Sequence, residues 1–89
     1  MAEICRFLGI VIHVIFADHP PPHVHVKYAG QWAHVSIEDG SLLKRTKVPI
    51  AILALVRRWL REHRAEVKAA WLDAAAHRHP PKIRPLRGF

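Results

Sequence analysis

Hydrophobic and polar residues alternate with a period of two over much of the first half of the chain, a pattern typical of β-strands. Residues 10–16 form an apolar run rich in β-branched side chains, which predicts a strand buried on much of both faces. Residues 23–28 and 32–37 alternate more strictly, with valines on one face of the first and histidines on the other. These three segments are therefore predicted to form strands of one sheet.

The segments that separate the predicted strands carry turn residues. Ala29 and Gly30 lie between the second and third strands and predict an antiparallel hairpin. Another turn follows at residues 38–40, and a short strand is predicted around Leu42 and Leu43. The pattern therefore predicts a meander of three to four strands.

From Pro49 the hydrophobic period changes to between three and four residues, which predicts helix over residues 49–77. One straight helix of this extent would be about 42 Å long, more than so small a domain can cover. We therefore predict two helices with a break near His63. The apolar stripe consists of Ile52, Leu55, Val56, Trp59, Leu60, His63, Val67, Ala70, Trp71 and Ala74.

The order of these elements predicts an α+β fold, a small antiparallel β-meander of three to four strands with one face covered by two C-terminal helices. Residues 1–89 are expected to form a single domain, because so short a chain buries only about 60 to 65% of its unfolded surface. Within that domain we expect a strand-rich part (1–47), a helical part (49–77) and an extended basic tail (78–89).

Composition excludes several classes of protein. Apolar residues make up 51% of the chain and charged residues 24%, so it is not expected to be disordered. A single cysteine, Cys5, cannot form an internal disulfide, and the first residues lack the features of a secretory signal, so a cytoplasmic location is expected. The longest apolar run is far shorter than the roughly 20 residues that cross a bilayer.

The formal net charge of +7 is unevenly distributed along the chain. Residues 1–40 carry a net charge of −2, and residues 41–89 carry +9. A concentration of positive charge attracts polyanions. The leading hypothesis is therefore a non-enzymatic interaction module that binds nucleic acid or a small acidic protein and requires no cofactor. Its candidate binding residues are Arg57, Arg58, Arg61, Arg64, Lys82, Arg84 and Arg87, although a solvated helix face would also explain the four helical arginines.

The segment DHPPPHVHV, residues 18–26, is the main candidate for chemistry. Its three consecutive prolines predict a rigid connection between two strands. His23 and His25 lie two residues apart on a strand, so both imidazoles point to one face with Cα atoms about 6.6 to 7 Å apart. His13 and His34 are predicted to share that face. This spacing permits a metal site but does not require one.

Three interpretations of these histidines remain open. They are structural, or His19, His23 and His25 bind a divalent metal, or a metal-free ribonuclease uses His23 and His25 as acid and base with Lys27 as the phosphate clamp. Under the last interpretation, Trp32 on the same face would stack a base.

Several segments together resemble a known family. They are residues 4–12, the segment 18–26, the Tyr28-Ala29-Gly30 turn, Pro49, Trp71 and residues 82–86. Over nearly its whole length the chain resembles domain of unknown function 4160 (DUF4160), whose motif is approximately DHxPPHFHV. Val24 stands where the family more often has phenylalanine, and His13 and His34 lie outside the motif. The resemblance implies no established activity. It does imply a gene beside that of a second small domain, in what has been suggested to be a toxin–antitoxin pair.

Overall fold

The structure, a computed structural model, describes residues 1–88 and contains one antiparallel sheet and one long helix. The elements are β1 (Ala2–Phe7), β2 (Ile10–Val14), β3 (His23–Tyr28), β4 (Gln31–Ser36) and α1 (Ile50–Ala75). The strands lie in the order β1-β2-β3-β4, and each pairs antiparallel with the next. The predicted α+β meander is confirmed.

The fourth strand differs from the one that the sequence pattern predicted. β1 was not predicted, and it supplies one edge of the sheet. The expected short strand around Leu42 and Leu43 is only an isolated bridge between Leu42 and Val35. The hydrogen bond from Leu43 N to the carbonyl oxygen of His34, 2.9 Å long, nevertheless holds this segment along the open edge of β4.

A two-residue turn joins β3 to β4. Ala29 and Gly30 both have positive φ angles, 48° and 78°, as in the type I′ turns whose twist matches that of paired strands. The turn sets the register, so that Lys27 lies opposite Trp32 and His25 opposite His34. It therefore decides which side chains meet across the two strands.

One face of the sheet, the inner face, is apolar and is covered by α1. Ile12, Val14, Val24 and Val26 on this face are fully buried. The helix contributes its own apolar stripe to the same core, namely Leu53, Val56, Trp59, Leu60, Val67, Ala70, Trp71 and Ala74. Because strand residues alternate between faces, the histidines of β2, β3 and β4 lie on the opposite, outer face.

The chain forms one helix where two were predicted, but the predicted break near His63 is confirmed as a kink in that helix. His63 has non-helical backbone angles (φ −127°, ψ 22°) within α1. A straight helix of these 26 residues would be about 39 Å long, whereas the longest dimension of the molecule is 32 Å. The kink thus keeps both halves against the sheet. Within residues 1–88, no helix combines the length and apolar character needed to cross a bilayer.

The segment after α1 returns to the free edge of β1. Ile83 N donates a 2.7 Å hydrogen bond to the carbonyl oxygen of Ile4, and the side chains of Ile83 and Leu86 are buried. The indole Nε1 of Trp59 donates to the carbonyl oxygen of Arg84 at 2.7 Å. The tail therefore covers a strand edge that would otherwise expose unpaired backbone groups.

Candidate metal centre

Side chains from all four strands form a row across the outer face of the sheet. Glu3 is the Cα partner of His13, His13 of His25, and His25 of His34. His23 lies on the same face of β3, two residues before His25. The register thus brings together histidines that are up to 21 positions apart in the sequence.

His23, His25 and His34 form a compact cluster at one end of this row. Each offers a ring nitrogen, and these three atoms lie within 4.8 Å of one another. The ring centroids are 4.9 Å apart for His23 and His25 and 4.3 Å apart for His25 and His34. Imidazole nitrogens at this spacing can converge on one transition-metal ion.

Asp18 brings a carboxylate to the same place. Its Oδ2 lies 3.1 Å from Nε2 of His23 and 3.2 Å from Nε2 of His25. Ligand atoms around a tetrahedral zinc ion are about 3.3 Å apart, given bonds of 2.0 to 2.1 Å. The carboxylate therefore lies at the edge of the three-histidine cluster, close enough to contact a group bound there. A 2.9 Å hydrogen bond from the backbone N–H of His19 to Oδ1 orients the carboxylate.

The hydrogen bond between His23 and the backbone fixes which of its ring nitrogens faces Asp18. Its Nδ1 lies 2.6 Å from the carbonyl oxygen of Pro21, which can only accept, so Nδ1 carries the proton. In the neutral ring, Nε2 then presents a lone pair to the Asp18 carboxylate at 3.1 Å. Two acceptors that face each other attract a cation, either a second proton on the ring or a metal ion bound by Nε2 with the carboxylate beside it. Metal-ligating histidines commonly donate their other N–H to a backbone carbonyl in this way.

The environment favours the protonation states that a metal requires. Burial lowers the pKa of His25, although its hydrogen bond with Asp18 opposes that effect. Burial also lowers the pKa of His34, and the nearby charges of His25 and Lys44 add to the shift. For Asp18, burial raises the pKa, but hydrogen bonds from His25 and from the His19 N–H outweigh it, so the net shift is downward. Two neutral imidazoles and an ionised carboxylate result near neutral pH.

The cluster opens into a cavity of about 360 Å³. Its walls are formed by Asp18, His19, Pro21, His23, His25, His34, Leu43 and Lys44. Lys44 places a positive charge at the wall, which favours an anionic ligand beside the cluster. A small molecule can therefore reach the side chains of the cluster.

Two other residues that the sequence predicted for this site, His19 and Lys27, lie outside the three-histidine cluster. His19 is exposed at the cavity wall, with its ring centroid 6.0 Å from that of His23, outside the three-histidine cluster. Lys27 points along the outer face toward Trp32, with Nζ 5.5 Å from the centroid of the Trp32 ring. Lys27 therefore lies beside Trp32, and the lysine that lines the histidine cavity is Lys44.

The sequence correctly placed His34 on the same face as His23 and His25, but it gave no role to His34 or Asp18 at the site and did not single out Lys44. A signal for His34 was present, because a two-residue turn at Ala29 and Gly30 pairs residue 25 with residue 34. Asp18 and Lys44 come from connections whose paths no periodicity predicts.

The four predicted helical arginines divide into two pairs. Arg57 Nε donates to the carbonyl oxygen of Gly40 at 2.7 Å, and Arg64 Nε donates to that of Ile37 at 3.1 Å. Both anchor the connection that follows β4. Arg58 and Arg61 are exposed and border a cavity of about 230 Å³.

The basic residues of the tail are also exposed. Lys82 Nζ lies 3.4 Å from Oε2 of Glu3, a contact at the surface. Arg84 and Arg87 are exposed, and their backbone positions are held by Trp59 and Glu62. Arg84 and Arg87 thus extend from a fixed backbone.

Comparison with known proteins identifies the family. The family model described as a domain of unknown function (DUF4160) matches residues 9–72, and the chain belongs to this family. The match includes Asp18 and the three clustered histidines, whereas the tail lies beyond it. No curated protein and no solved structure matches the chain.

Proposed function

We propose that this DUF4160 protein is a metal-dependent hydrolase with a divalent transition-metal ion bound by His23, His25 and His34. The observation that carries the proposal is the spacing of their ring nitrogens within 4.8 Å, next to the Asp18 carboxylate. Zn²⁺ suits nitrogen donors in this number, whereas Mg²⁺ and Ca²⁺ prefer oxygen ligands throughout.

Three histidine ligands would leave a zinc ion one open position for water, and the metal would supply a nucleophile by lowering the pKa of that water to about 7. Asp18 would accept the proton, since its carboxylate lies beside two of the three ligating rings. Lys44 attracts the anionic group of a phosphate ester into the cavity.

The reaction that these groups support is hydrolysis of a phosphodiester. The water oxygen forms a bond to phosphorus, and the bond from phosphorus to the leaving oxygen breaks. One water proton goes to Asp18 and then to solvent, and the leaving oxygen takes a proton from solvent. The products are a phosphomonoester and an alcohol, and no oxidant or reductant is needed.

The arrangement supports the metal-dependent reaction better than the metal-free one. In a metal-free ribonuclease the general base takes a proton from the attacking 2′-hydroxyl and the general acid protonates the leaving 5′-oxygen, so the two groups face different oxygens. His23 and His25 instead both face the same oxygen of Asp18, at 3.1 and 3.2 Å. Their convergence suits shared ligation of an ion.

Elemental analysis of protein purified without a histidine tag tests the metal. We expect about one zinc per chain, and hydrolysis of bis(p-nitrophenyl) phosphate that is lost with chelator and restored by Zn²⁺. Asp18→Asn should retain the metal and lose activity, whereas His25→Ala should lose both. Activity that persists in chelator, or a chain that binds no zinc, contradicts the proposal.

A second candidate function is the interaction module, which binds nucleic acid or a small acidic protein, including a partner in a toxin–antitoxin pair. It is favoured by Arg58 and Arg61, which are exposed on α1, and by the exposed tail residues Arg84 and Arg87. Nucleic-acid binding by these residues predicts an affinity that falls linearly with salt on logarithmic axes. Co-expression with the neighbouring gene product tests the protein partner, since a cognate acidic protein should co-purify.

A further inference from the structure

A second and larger cavity lies on the outer face beside the candidate metal centre. Its volume is about 530 Å³, and it is lined by Gly30, Gln31, Trp32, Arg45, Thr46 and Lys47. Trp32 is 38% exposed, whereas Trp59 and Trp71 are buried in the core. An indole ring left accessible in a concave surface offers a large, rigid area for a planar ligand.

The position of Trp32 is fixed from two sides. Thr46 Oγ1 donates a 2.6 Å hydrogen bond to the carbonyl oxygen of Trp32 and accepts one of 3.1 Å from Val48 N–H. The indole also packs beside the His13 ring, with centroids 5.6 Å apart. A ligand that stacks here orders little of the protein, which lowers the entropy cost of binding.

Positive charges surround this ring. Lys27 Nζ lies 5.5 Å from its centroid, and Arg45 and Lys47 line the cavity. Among the described residues that line the cavity, none is acidic. An exposed aromatic ring within a basic groove is the arrangement by which proteins bind single-stranded nucleic acid, through base stacking and phosphate contacts.

The Trp32 cavity and the histidine cavity follow one another along β4. Trp32 and His34 are two residues apart on the same face of the strand, so their Cα atoms are separated by about 6.6 to 7 Å. Lys44 and Arg45 are adjacent in sequence, and each lines one of the two cavities. A single-stranded nucleic acid that runs along β4 from Trp32 toward His34 would therefore bring its backbone beside Lys44 and the histidines.

We propose that the Trp32 cavity binds a base of single-stranded nucleic acid by stacking, and that the adjoining phosphodiester lies in the histidine cavity. The binding site is supported by the Trp32 cavity itself. The assignment of the bound strand as substrate rests on the proposed hydrolase function. The basic residues that hold the strand are then Lys27, Lys44, Arg45 and Lys47, a set distinct from the helical arginines.

Fluorescence anisotropy with labelled oligonucleotides of about ten nucleotides tests the stacking site. Trp32→Ala should weaken binding of single-stranded RNA by about 5- to 150-fold, the range expected for loss of one stacked base. Trp32→Phe retains a ring and should recover much of the affinity. Leu72→Ala, which removes an exposed apolar side chain on α1, is the matched control and should bind within about twofold of wild type.

Intrinsic fluorescence gives an independent measurement. Because Trp59 and Trp71 are buried, quenching by a bound base should come from Trp32 and disappear in Trp32→Phe. Single-stranded DNA of the same sequence separates RNA from DNA as the preferred ligand, and duplex RNA should bind more weakly because its bases are already stacked.

Several outcomes overturn the stacking site. One is an affinity for single-stranded RNA that is the same in Trp32→Ala as in wild type. Another is an affinity for duplex RNA equal to that for single-stranded RNA. The third is a Trp32→Ala variant that still binds RNA but no longer co-purifies with a protein that accompanies wild type. Zinc titration keeps this inference separate from the hydrolase: Trp32→Ala should bind zinc as wild type does, and wild-type protein stripped of zinc by a chelator should retain RNA binding that depends on Trp32. Trp32-dependent RNA binding by a chain that takes up no zinc would support the nucleic-acid site and overturn its role in supplying a substrate.

Discussion

His25 on β3 and His34 on β4 are Cα partners across the sheet, and their imidazole rings lie 4.3 Å apart. This pairing adds a third histidine to His23 and His25, which lie on the same face of β3, and so forms the three-histidine cluster. Asp18 approaches two of the rings from the preceding connection. The candidate site thus depends on the hairpin register as much as on the motif.

Loss of His34 should abolish tight metal binding. Removal of a residue that supports a ligand typically lowers metal affinity 10- to 100-fold, so removal of a ligand in His34→Ala should cost at least about 100-fold. Competition with a chromophoric chelator measures the zinc affinity. His13→Ala is the control, since His13 belongs to the same row across the sheet but not to the cluster, and it should bind zinc nearly as wild type does. Equal losses in the two variants would contradict the assigned ligands.

Gly40→Ala should destabilise the fold more than Gly30→Ala does. Both glycines have positive φ, 74° and 78°, so each substitution should cost about 1 to 2 kcal/mol of backbone strain. At Gly40 the added Cβ would also lie 3.1 Å from Cγ of Arg57, whereas at Gly30 nothing lies within 4 Å. Urea denaturation measures the free energies of unfolding. Equal values would show that Arg57 moves aside without cost.

Glu3 should make stability fall in strongly acidic solution. Its hydrogen bond with Arg6, with further help from Lys82, lowers the pKa of the carboxyl from 4.5 to about 2. The folded state therefore prefers the ionised form. This contribution is fully present above about pH 4.5 and is lost as the pH falls through about 2. Urea denaturation of wild type and Glu3→Gln across this range should give curves that converge at the acidic end. A constant difference between them would argue against the shift.

Leu86→Ala should destabilise the whole domain although the residue lies beyond the family match. Leu86 is 1% exposed, and loss of a buried leucine side chain typically costs about 2 to 5 kcal/mol. Leu72→Ala makes the same chemical change at a site that is 53% exposed and should cost less than about 0.5 kcal/mol. Thermal denaturation followed by circular dichroism distinguishes them. Similar melting temperatures would mean that the tail is not part of the core.

The two pairs of helical arginines should respond differently to substitution. Arg57→Ala removes a charged hydrogen bond to Gly40 and should cost about 1.5 to 3 kcal/mol of stability. Replacement of Arg58 and Arg61 by alanine should leave stability nearly unchanged. If the exposed pair contacts phosphates, the double variant should also reduce the slope of log affinity against log salt by about two. An unchanged slope would exclude this face from nucleic-acid binding.

The sequence by itself determined the elements whose periodicity is strong. Alternation placed valines and histidines on opposite faces of β3, because successive side chains of a strand point in opposite directions. The change of period at Pro49 located the helix, and the apolar spacing predicted its buried stripe. β1 was missed because its apolar residues do not alternate regularly. The register shift between Glu3 and Cys5 shows the bulge responsible.

Only the tertiary structure decided that the helical segment stays one helix and which groups meet at the site. The length of the segment predicted an interruption near His63, but not that the chain would bend there and continue as helix. Asp18, His34 and Lys44 reach His23 and His25 through a connection, a register and the segment after β4. Periodicity determines the face on which a side chain lies. Contacts between side chains distant in sequence depend on how turns and connections pack, and so on the whole fold.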